Sequence, residues 1–99
     1  MAYVIFEIKT EDAAKINQII KEDIVSRQSI LTRDSSSLNL DGDFLYLKIE
    51  GSQEGLNKAE EIAKDLEIKK LDDAKAEEVN EKIKQQEDEA ASGMGMIFD

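Results

Sequence analysis

Hydrophobic positions along this chain change their period several times, and each change marks an element. Residues 3–8, Tyr-Val-Ile-Phe-Glu-Ile, are β-branched and aromatic, which predicts a strand. Val4, Phe6 and Ile8 share one face of it; Tyr3, Ile5 and Glu7 share the other. The spacing then lengthens, and Ala13, Ile16, Ile19, Ile20 and Ile24 follow a helical period. Thr10 is placed to cap that helix, with Glu11 and Asp12 in a first turn whose dipole favours acids. Its end is expected between Glu22 and Ser26. Over residues 30–40, Ile30, Thr32, Leu38 and Leu40 keep one parity, and Asp34-Ser35-Ser36-Ser37 interrupts them. The expectation there is an edge strand, irregular in its middle.

Residues 44–50 alternate most clearly. Leu45, Leu47 and Ile49 point one way; Phe44, Tyr46, Lys48 and Glu50 point the other. Gly51-Ser52 ends the strand, and Ser52 is a good cap for the next helix. Leu56, Ala59, Ile62, Ala63 and Leu66 form that helix's apolar stripe. Residues 67–71 read as a short last strand around Ile68. Asp72 or Asp73 then opens a third helix over 74–90, with Ala76, Val79, Ile83 and Ala90 as its stripe. Residues 1–90 are read as one α+β domain, and 91–99 as a flexible apolar tail.

The order β-α-β-β-α-β, then a helix, predicts the split βαβ arrangement. Two helices would cover one face of a four-stranded antiparallel sheet. In this order, residues 3–71 resemble the ferredoxin-like superfold shared by acylphosphatase-like, metallochaperone-like and ACT-like small domains. The resemblance implies a fold and no activity, because that fold hosts many functions. The chain has no Cys-x-x-Cys, no arginine-bearing phosphate loop and no glycine-rich turn after the first strand. The order is also similar to that of the small β-α-β-β-α subunit of the KEOPS tRNA-modification assembly, which implies a subunit of a larger complex. The acidic composition resembles that of many small archaeal proteins.

Composition removes several chemistries. With 99 residues there is room for one core. Neither Cys nor His is present, which excludes disulfides, thiolate nucleophiles, Cys/His zinc sites and imidazole catalysis. Catalysis would rest on carboxylates, Ser, Lys or Tyr, and no nucleophile–base constellation is visible; the expectation is a non-enzyme. Net charge is −10, from 23 acids against 13 bases, which opposes nucleic acid and anionic membrane surfaces. No apolar run approaches the roughly 20 residues that cross a bilayer. The first residues lack a basic flank, so the expected location is cytoplasmic. Absence of Cys with abundant Ile, Lys and Glu suits a thermophile.

The candidate chemistry is carboxylate-based. In residues 39–50, Asn39, Asp41, Asp43 and Glu50 match positions 1, 3, 5 and 12 of a calcium loop. Phe44 occupies the glycine position and a strand pattern follows, so an Asp41-Gly42 hairpin turn is the better reading. In a split βαβ fold that turn lies where the first strand meets the first helix. Glu11, Asp12, Asp41 and Asp43 would gather there as a weak calcium site; Glu50, Glu54, Asp72 and Asp73 would gather at the opposite end. The sheet face bearing Tyr3, Ile5, Phe44 and Tyr46 is expected to be covered by the third helix or the tail, or to pair with a second copy or a partner. Met94, Met96, Ile97 and Phe98 in the tail are the other partner-binding candidates. The acid-rich third helix, with Glu77, Glu78, Glu81, Glu87, Asp88 and Glu89, is suited to a basic partner. The expected function is binding, of calcium or of a protein partner.

Overall fold

The computed structural model describes the backbone of residues 2–98 and the side chains of residues 2–87. The strands are β1 (Ala2–Lys9), β2 (Ser29–Asp34), β3 (Phe44–Gly51) and β4 (Lys69–Lys70). The helices are α1 (Ala14–Ile20), α2 (Asp23–Ser26), α3 (Gln53–Asp65) and α4 (Asp73–Phe98). They form an α+β fold around one four-stranded antiparallel sheet in the order β2-β3-β1-β4.

The alternation in β1 and β3 sorts their residues between two cores. Val4, Phe6, Ile8, Leu47 and Ile49 are buried against Ile16, Ile19, Val25, Leu56, Ala59 and Ala63 of α1, α2 and α3. Ile5 and Tyr46 are buried on the other face with Leu38, Leu71, Ala76, Val79 and Ile83. The third helix of the sequence therefore covers the second face, and the molecule has three layers. Gln86 fastens α4 to the β2 side: its Oε1 accepts from Arg33 Nε at 2.6 Å, and its Nε2 donates to Ser37 O at 3.1 Å.

Local capping explains where several elements begin and end. Ser52 caps α3 by accepting Gly55 N–H at 3.2 Å. Gln28 braces that junction, accepting Ser52 N–H at 2.9 Å and donating to Ile24 O at 2.9 Å. Asp72, rather than Asp73, caps α4 through Lys75 N–H at 2.9 Å. At the end of α3, Ile68 N–H reaches Ala63 O and Glu67 N–H reaches Lys64 O. That pair of bonds turns the chain left-handed at Glu67, φ 60°, a position usually held by glycine.

Several expectations differ from the structure. Thr10 is not a helix cap: it opens a short 3-10 turn, and its N–H donates to Asp43 O at 3.1 Å. The first helix is interrupted by extended backbone at Glu22, so Val25 joins Ile24 in facing the core and Ala13 is exposed. The strand expected over 30–40 stops at Asp34. There the Asp34 carboxylate accepts Ser37 N–H at 2.8 Å and closes a 3-10 turn, Ser36–Leu38. That N–H also holds the Asp34 carboxyl below its ordinary pKa. Leu38 consequently packs under α4, on the opposite face from Ile30.

The link from β2 to β3 is thus the loop 35–43 and not a two-residue Asp-Gly turn. Ser35 is its hub: buried, it donates Oγ to Gly42 O at 2.6 Å, and its N–H bonds Phe44 O at 2.8 Å. Gly42 sits at φ 93°, where a Cβ would run into the Phe44 ring. Finally, α4 continues past residue 90 to Phe98. Ala90 and the tail candidates Met94, Met96, Ile97 and Phe98 lie outside the residues whose side chains are described.

Candidate functional site

Among the described residues, neither expected acid cluster brings three carboxylates together. The register Lys9↔Phe44 and the Thr10–Asp43 bond do bring the 41–43 turn beside the start of the first helical segment. Glu11 and Asp43 line one open groove there, with Gly42 and Phe44. Asp12 lines another, where Lys15 Nζ lies 3.9 Å from it. At the far end, Asp72 is spent capping α4, and Glu50 sits on β3, separated by β1 from the β4 side. Among the described residues, no three acids converge as a metal ion requires. Millimolar calcium is therefore expected to leave the amide resonances of Glu11, Asp12, Asp41 and Asp43 in place. Localised, saturating shifts at these residues would revive the cation site.

The aromatic face is not open at its centre. Ile5 is 0% and Tyr46 2% exposed beneath α4, with Tyr3 and Phe44 half-buried at the margins. Neither Ile5 nor Tyr46 offers a free docking surface while α4 is in place. The Tyr46 hydroxyl donates to Glu7 Oε2 at 3.1 Å. Burial first, and the Glu7 charge second, push this phenol up to about 12. A raised phenol pKa gives stability that is full below the unfolded value near 10 and is lost as pH climbs through about 12. In a Tyr3→Phe background, tyrosinate absorbance should therefore rise only near pH 12, together with unfolding. Ionisation near pH 10 in a chain that stays folded would contradict the buried pair.

The site that sequence reasoning missed lies at the other edge of β1. β4 pairs with β1 only at Phe6 and Glu7, and Leu71 N–H adds one bond to Ile5 O at 3.0 Å. The chain then leaves for α4. Main-chain groups alternate sides along a strand, so those of Tyr3 face the same edge as those of Ile5. Among the described residues, no strand meets Ala2–Val4 there. The result is an open groove of about 510 Å³, floored by Ala2–Ile5 and Leu71 and walled by α4.

Asp73, Glu77, Asn80, Glu81 and Lys84 form the α4 wall. Their spacing sets them on one helical stripe beside the buried Ala76, Val79 and Ile83. Asn80 is 8% exposed, and its Oδ1 is buried with no hydrogen-bond partner. An unpaired buried acceptor costs about 1–3 kcal/mol. Lys70, at the groove's other side, is turned to Glu60 of α3 in an ion pair. The site can therefore accept donors, along the free strand edge and at Asn80. It contains no arrangement of nucleophile and base. No protein-family model, curated protein or solved structure matches this chain.

Proposed function

We propose that this chain is a small non-catalytic binding protein, and that it captures an extended polypeptide segment by strand addition at the outer edge of β1. The carrying observation is the Tyr3 main-chain edge, which has no partner among the described residues and lies beside the Asn80 acceptor, likewise unpaired among them, in one open groove. Added strands gain main-chain hydrogen bonds from an exposed edge and specificity from flanking side chains. The sheet order, read from the other edge as β4-β1-β3-β2 with every neighbour antiparallel, supports a ferredoxin-like βαββαβ classification. A role as a subunit of a larger assembly fits the same surface. The absence of Cys and His favours binding over catalysis. Carboxylate-mediated calcium binding has no comparable geometric support.

Tyr3→Pro is the direct test. Proline removes the outward N–H and spares the β3 ladder, and edge positions tolerate it. The variant should keep its circular dichroism spectrum and lose capture of an extended peptide that the unmodified chain binds. Equal capture by the folded variant would dismiss strand addition at β1.

A further inference from the structure

We propose that the groove between β1 and α4 selects a basic segment, with an arginine or lysine side chain donating to Asn80 Oδ1; this rests on the strand-addition reading above.

The α4 wall is a row of acceptors. Asp73, Glu77 and Glu81 succeed one another at intervals of one turn, and Asn80 lies just inside them. Lys70 is engaged by Glu60, so the balance at the wall is three carboxylates against Lys84. The same acids fail to converge on a point, which disfavours a metal ion. A spread row suits a cation that carries several donors on a long stem, and guanidinium supplies five in a fixed fork. A charged donor to Asn80 also relieves the one described side-chain acceptor that is buried and unpaired. The whole chain, at −10, attracts a basic ligand from a distance.

Size agrees with this occupant. Ala2–Val4 offers about 10 Å of edge, the length of three extended residues. The volume of about 510 Å³ holds such a stretch with one long side chain on the α4 side. A neutral or acidic residue at that place would leave Asn80 unanswered or face Glu77 and Glu81.

The test is a chemical-shift titration of the full chain with three short blocked peptides, identical except for Arg, Leu or Glu at the centre. The Arg peptide should shift Ala2–Ile5 and residues 73–84 and bind about tenfold more tightly than the Leu peptide, with the advantage shrinking as salt rises. Glu77→Gln combined with Glu81→Gln should erase most of that advantage, bringing the Arg peptide close to the affinity of the Leu peptide. Asn80→Leu should weaken the Arg peptide while the melting temperature holds or rises, which separates lost recognition from lost folding. Equal affinities for the three peptides at the groove would overturn the basic preference and leave strand addition standing. No shift at the groove with any peptide, or shifts only elsewhere, would overturn both.

Discussion

Replacing Phe6 with alanine is expected to remove about 3–5 kcal/mol of stability. Phe6 is fully buried in β1, next to the centre of the sheet, with Leu47 beside it on β3 and Lys70 on β4. Among the described residues its ring is the largest completely buried side chain, and it belongs to the core shared with α1, α2 and α3. Three helices brace that core against the sheet, so the vacated space cannot close by a small shift of one element. A domain of this size holds about 5–15 kcal/mol in total, so the variant sits near its unfolding threshold. Urea titration followed by circular dichroism gives the number. A loss below about 1 kcal/mol would mean that the core around Phe6 is far looser than its burial implies.

Val79→Asp acts on the opposite face and should act locally. Val79 is completely buried in α4, between Ala76 and Ile83, and packs into the cluster that holds Ile5 and Tyr46. The surroundings of Val79 in that cluster are apolar, so a carboxylate placed there would lose its hydration. Penalties of about 3–5 kcal/mol are expected, enough to release α4 from the sheet. The core beneath α1 and α3 does not depend on Val79. Hydrogen exchange should therefore speed up along α4 and remain slow in β1 and β3. Uniform loss of protection would indicate that both layers unfold as one unit.

The parts of this structure legible in the sequence are those governed by a short period. Two-residue alternation sorted Val4, Phe6 and Ile8 from Tyr3 and Ile5, and the structure keeps that division between its two cores. Ser52 was legible because a hydroxyl before a helix has one dominant use. The end of β2 was not, because Asp34 could serve either as a strand residue or as the acceptor that closes a turn, and Ser35 decides it through contacts to Gly42 and Phe44. Carboxylates that approach one another in a topology diagram still need a loop that aims them, and 35–43 aims backbone instead. The groove was hidden for another reason. Asn80 is one residue off the apolar stripe, and its burial depends on how α4 is rolled on Tyr46 and Leu38, which no local pattern encodes.

The position of β1 also affects how the chain is made. It is synthesised before the other three strands of its sheet, yet it pairs with β3, which ends at Gly51, and with β4 at Lys69–Lys70. Gly51 follows Lys9 by 42 residues. At ribosomal speeds of about 5–20 residues per second, β1 waits roughly 2–8 s for its first neighbour. During that interval Val-Ile-Phe is an unpaired apolar strand attached to a growing chain. Glu7, Glu11 and Asp12 follow it closely in sequence and place charge next to it throughout the wait.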